Sequence, residues 1–95
     1  MPMKDDEKRF FVACYNFGRS SGNHILNPLN HVNDYLTPRN IIHILAGYIH
    51  HKRCWYYLQK WSDLGFYDYG VTLDLGWFYP EKLPERYKEL LEGKI

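Results

Sequence analysis

The residues in this 95-residue chain whose types and spacing could do chemistry are cations and hydrogen-bond donors gathered in one stretch. Residues 37–62 contain Arg39, Lys52, Arg53 and Lys60 and no acidic side chain. His43, His50 and His51, three of the five histidines, lie there too. Residues 1–36 balance four basic against four acidic side chains, and residues 63–95 hold seven acidic and four basic. The net charge of +1 therefore hides a basic centre followed by an acidic tail. A basic block set apart in this way is the charge placement expected of a surface that meets phosphate. If 51–64 is a helix packed through Cys54, Leu58 and Trp61, its outward side carries Lys52, Tyr56, Gln59, Lys60 and Asp63, with Arg53 at the edge. Lys, Arg and Gln at such positions reach phosphates and base edges from a major groove. The candidate nucleic-acid contacts are Arg39, His51, Lys52, Arg53, Tyr56, Gln59 and Lys60. The plainer alternative is a solvated helix face, where most charged side chains live.

The elements that must position these residues can be read from capping and periodicity. Thr37 suits a helix N-cap, and Pro38 suits the first helical position while holding Thr37 out of the α region. Ile41, Ile44, Leu45 and Tyr48 recur at helical spacing. A second stripe follows at Cys54, Leu58, Trp61 and Gly65, flanked by Tyr57 and Leu64. On one unbroken helix the nine steps from Leu45 to Cys54 turn roughly 900°, which sets the stripes on nearly opposite sides. A break near Gly47 lets both face one core. Ile49, His50 and His51 offer no strong cap for the second helix, and Gly65 is a good stop.

Residues 5–17 read as an amphipathic helix with Asp5 or Asp6 as cap and Phe10, Phe11, Cys14, Tyr15 and Phe17 as its apolar face. Residues 19–23 are a loop by composition. Asn27 and Pro28 repeat the cap-then-proline start, so 28–36 is expected to be a short helix. After Gly65 the period becomes two. Tyr67, Tyr69, Val71, Leu73, Leu75, Trp77 and Tyr79 alternate with Asp68, Gly70, Thr72, Asp74 and Gly76, which argues for β structure with one buried face. A single strand over 66–79 would span about 45 Å, too long for a chain of this size, so it must return as a hairpin with its turn within 70–74. Pro80 ends the second strand. Pro84 opens a last helix with Tyr87, Leu90 and Leu91 inward and Gly93 as its stop.

The spacing over 36–93 resembles a winged helix-turn-helix. The run LTPRNIIHILAG looks like its second helix and turn, and KRCWYYLQKWSDLGF like its third helix entering the wing. The run GWFYPEKLPERYKELLEG is similar to a last wing strand and closing helix. The resemblance implies one mostly helical α+β domain over 1–95, with N-terminal helices in 1–36 and the helix-turn-helix in 37–65. A β-hairpin wing over 66–79 and a C-terminal helix over 84–93 complete it. The first winged-helix element is 5–17, 28–36 or both, and the small first strand of that fold would be a brief bridge near Leu36 and Thr37. The resemblance also implies double-stranded DNA binding through the helix 51–64, as a small transcriptional regulator or accessory DNA-binding protein. Symmetric dimers through the terminal helices are a family habit. Against a gripping wing, Asp68 and Asp74 are the only charges from Phe66 to Tyr79.

Other classes find less support. With 45% hydrophobic and 18% aromatic residues the chain is too apolar for intrinsic disorder. Nine Tyr and three Trp either fill a small core or line a partner surface, which keeps open a protein-interaction module without catalytic activity. Trp55, Tyr56, Tyr57 and Trp61 wrap most of one helix and call for cover from the termini or a second subunit. Cys14 and Cys54 form no disulfide or zinc pattern and fit a reducing, cytoplasmic setting. The first residues lack a signal peptide's apolar run, and no run approaches a membrane span. His50 and His51, as consecutive helical residues, point in different directions and make poor metal ligands, and Pro28 separates His24 from His31. No phosphate loop, zinc-protease motif or nucleophile elbow occurs, and Asp68 and Asp74 read as solvated carboxylates. No cofactor, metal, membrane or small-molecule substrate is expected.

Overall fold

The computed structural model describes residues 3–18 and 36–94. Among them are α1 (Asp5–Phe17), α2 (Pro38–Ile44), α3 (His51–Asp63), β1 (Tyr67–Tyr69), β2 (Gly76–Phe78), a 3-10 turn (Pro80–Lys82) and α4 (Glu85–Leu91). The class is α+β, with a two-stranded antiparallel hairpin in the C-terminal half. The helix expected over 28–36, Arg19, His24 and His31 lie outside the described residues, apart from Leu36.

The chain breaks after α2, as the diverging stripes require. Thr37 caps it: its hydroxyl accepts from the Asn40 N–H at 3.3 Å, and the Asn40 side chain accepts from the Thr37 N–H at 2.9 Å. This reciprocal box satisfies two backbone donors that a helix start otherwise leaves open. Gly47 does not make the turn through left-handed dihedrals, because the only positive-φ glycines among the described residues are Gly65 and Gly93. The inward stripe also differs from the spacing. Ile41, Ile42 and Ile49 are buried, whereas Ile44 is 60% and Tyr48 78% exposed. The helix ends at Ile44, so Tyr48 no longer follows its period. The α3 start has a cap after all: His50 Nδ1 accepts from the Lys52 N–H at 3.2 Å. At its end Gly65, with φ of 91°, lets the Phe66 N–H reach the Trp61 carbonyl and its own N–H reach Ser62. The Phe66 and Trp61 rings then sit 6.3 Å apart, the apolar contact that accompanies this helix stop.

Packing centres on two rings. Phe11 from α1 lies against Trp61, Phe66, Phe78 and Tyr87, and Trp61 from α3 also meets Phe10, Tyr57 and Tyr67. The N-terminal helix thus covers Tyr57 and Trp61 of α3, while Trp55 and Tyr56 stay exposed. The brief bridge expected at 36–37 is one hydrogen bond, from the Leu36 N–H to the Phe17 carbonyl, with no strand there.

The hairpin pairs Tyr67 with Phe78, Asp68 with Trp77 and Tyr69 with Gly76. An odd residue therefore faces an even one across the ladder. The odd-numbered stripe does not stay on one side: Tyr67 is buried on β1, but Gly76 and Phe78 are the buried residues of β2. Val71, in the connection, is 88% exposed. The side-chain period of two keeps parity only within one strand, and the register resets it across the turn. Gly76 is needed here: a Cβ would collide with the Asp68 carbonyl and the Tyr67 ring, whose hydroxyl donates to the Leu73 carbonyl at 2.6 Å and accepts from the Gly76 N–H at 2.9 Å. In α4, Tyr87 and Leu90 are buried and Leu91 packs against the core, as the spacing predicts.

Candidate functional site

Neither Asp5 nor Asp6, the caps expected for α1, is its N-cap, and Asp6 and Glu7 are used elsewhere. Lys4 is the N-cap and has no side-chain capping bond. Both carboxylates turn toward α3. Glu7, 2% exposed, accepts from Lys60 Nζ at 2.8 Å, Trp61 Nε1 at 3.0 Å and the Tyr87 hydroxyl at 2.6 Å. Asp6 accepts from Arg53 Nε and, at 2.6 Å, from the Tyr57 hydroxyl, which in turn accepts from Arg53 Nη2 at 2.9 Å. A buried carboxylate is tolerated only with this many donors. Burial opposes ionisation of Glu7, but the bonds from Lys60, Tyr87 and Trp61 outweigh it and hold the carboxyl below its usual range. Asp6 behaves alike, with Arg53 and Tyr57 outweighing burial. Burial and the bond to Asp6 push the Tyr57 hydroxyl up to about 12. Burial, with the charge of Asp6, raises the Cys54 thiol to about 11, so it stays protonated and unreactive near neutral pH.

Above this network lies an open groove of about 780 Å³. It is lined by α3, through Lys52, Arg53, Tyr56 and Lys60, and by the starts of α1 and α4, through Lys4 and Arg86. Among the described residues, five cations line it with one acid, Glu7. Lys4 and Lys52 have no ion pair among the described residues. Tyr56 is 65% exposed.

Four of the seven sequence candidates therefore come together: Lys52, Arg53, Tyr56 and Lys60. Lys60 is not fully outward, because its ammonium closes on Glu7, and Arg53 is committed to Asp6. Arg39 lies apart. Its guanidinium grips Asp74 at 2.8 and 3.3 Å, and Thr72 adds a bond to the same carboxylate at 2.8 Å. Asp74 is thus 5% exposed and paired, not the solvated carboxylate its place in the hairpin suggests. His51 stacks on His50 at 4.4 Å, and Gln59 donates to Asp63 at 3.0 Å. Neither His51 nor Gln59 lines the groove. Among the described residues no cluster of three His, Cys, Asp or Glu could hold a metal ion, and no helix is long and apolar enough to cross a membrane.

Glu7 has no motif to mark it, yet a signal exists. It lies three, four and seven residues before Phe10, Phe11 and Cys14, on the apolar stripe itself. A charge on such a stripe demands partners. Compared with protein-family models, curated proteins and solved structures, the chain finds no match.

Proposed function

We propose that this is a winged-helix-like module that binds double-stranded DNA through α3, acting in the cytoplasm as a small transcriptional regulator or accessory DNA-binding protein, without catalysis. One observation carries the reading: the acid-free segment places Lys52 and Tyr56 on the exposed side of α3, with Lys4 and Arg86 beside them. The order of two helices, a hairpin and a closing helix supports it.

The internal ion pairs limit how this works. Arg39, Arg53 and Lys60 are held by Asp74, Asp6 and Glu7, so Lys4 and Lys52 carry most of the attraction to phosphate. Each phosphate neutralised adds about 0.9 to the slope of log affinity against log salt, so two cations give a slope near −2 and four would give nearly −4. The test is fluorescence anisotropy of a labelled blunt duplex across a salt series. Binding with the shallow slope, lost in the double variant Lys4→Glu with Lys52→Glu, supports the reading. Retained affinity in that variant overturns it. Arg53→Glu is unsuited to the test, since a second acid beside Asp6 would disturb the fold.

A second reading, a protein-interaction module, is favoured by Ile44 at the end of α2 and Tyr48 on the link to α3, both well exposed. It predicts that Tyr48→Ala disrupts a complex while Lys52→Glu does not.

A further inference from the structure

We propose that the groove on α3 takes one unpaired nucleotide, its base laid on Tyr56 and its phosphate between Lys4 and Lys52. The module would then favour DNA with a single-stranded end over a blunt duplex. This rests on the nucleic-acid reading above and names the form of DNA that its site selects.

Three observations lead there. The first is shape. Beside the exposed residues of α3, Met3, Lys4 and Pro84 also line the groove, so Lys52 and Tyr56 face a concavity as well as open solvent. The space between is about 780 Å³, in the range of sites that enclose a compact ligand. The second is the ring. Tyr56 lies in this concavity with 65% of its surface open, beside the half-exposed Leu64. A duplex offers base edges in its grooves and hides base faces in the stack, so an aromatic ring in a concave site meets a base face only when a nucleotide is unpaired. The third is charge. The carboxylates Asp6 and Glu7 hold Arg53 and Lys60, while Lys4 and Lys52 have no ion pair among the described residues. Lysines beside an open aromatic ring are the pairing by which single strands are held: cations on the backbone, a ring under the base.

The experiment measures affinities of the full chain for three labelled probes of shared sequence: a blunt duplex, the duplex with a short overhang at either end, and the single strand. One base stacked on one tyrosine should tighten binding of an overhang about 10-fold over the blunt duplex. Tyr56→Ala should bring that ratio close to one with an unchanged melting temperature, and Tyr56→Trp should restore it. Equal affinity for blunt and overhang probes overturns the inference and leaves the DNA reading standing. A preference that survives Tyr56→Ala also overturns it. No binding to any probe ends both readings, and binding of an acidic aromatic peptide in place of every oligonucleotide assigns the groove to a protein partner.

Discussion

The two flanks of α3 hold the same kinds of residue and use them differently. On one flank Arg53, Tyr57, Lys60 and Trp61 close on Asp6 and Glu7 of α1 and join the helix to the core. On the other, Lys52 and Tyr56, which line the same groove as Arg53 and Lys60, are exposed and join no ion pair among the described residues. The cations are one basic block in the sequence, but only part of that block remains for a ligand. A charge count locates such a block, and pairing decides how much of it is active. The contrast predicts that variants of the first flank act on stability and variants of the second on binding.

The largest expected effect is at Glu7. Glu7→Ala strands Trp61 Nε1 and the Tyr87 hydroxyl without their acceptor and releases the ammonium of Lys60, which is 38% exposed and so recovers water readily. Losing several bonds to a buried charge costs about 3 kcal/mol, seen as a lower midpoint in chemical denaturation. A loss under about 1 kcal/mol would mean that this flank does not secure the helix and that the contrast is false.

Acid should act through the same network. Asp6 and Glu7 have carboxyl groups held below their ordinary values in the folded chain. Near their unfolded values of about 4 the unfolded chain binds more protons than the folded one, so lowering the pH favours unfolding. The stabilisation is present in full above that pH and is lost as pH falls through the folded values. Denaturation midpoints between pH 6 and pH 3, values chosen about the ordinary carboxylate range, should fall less steeply for Glu7→Ala than for the unaltered chain.

Asp74→Ala gives a smaller effect. It releases Arg39 and Thr72 and loosens the link between α2 and the hairpin. Arg39 is half exposed and solvent screens its charge, so the expected loss is about 1 kcal/mol. Because Arg39 is thereby unpaired, binding to duplex should hold or rise slightly in anisotropy, which tests whether this arginine is structural.

How much of this was legible in the sequence follows from the range of each interaction. The Thr37–Pro38 start, the Gly65 and Gly93 stops, the break between α2 and α3 and the hairpin all rest on residues within a few positions of one another, and local chemistry marks them. Asn40 completing the Thr37 box and His50 capping α3 are equally local, but they use residue types that the familiar cap pattern does not feature. The parity change between β1 and β2 depends on register, which alternation alone does not specify. The ion pairs were the hardest to foresee. Arg53 meets Asp6 across 47 positions, Lys60 meets Glu7 across 53 and Arg39 meets Asp74 across 35, and no spacing rule reaches so far. The candidate site was therefore visible as a basic stretch, while its division into structural and open cations was not.

The smallest expected change in stability sharpens the comparison most. Lys52 is exposed on α3 and makes no ion pair among the described residues, so Lys52→Ala exchanges a good helix former for a better one and should leave the denaturation midpoint within about 0.5 kcal/mol. Its effect on duplex affinity should be larger. Removing one of the two groove lysines that have no ion pair among the described residues takes away about half of the salt dependence that the groove supplies, so the slope near −2 should fall toward −1. A variant that keeps its fold, loses affinity and halves its slope would locate the binding charge on the open flank. A variant that loses stability instead would put Lys52 with Arg53 and Lys60 among the residues that hold α3 in place.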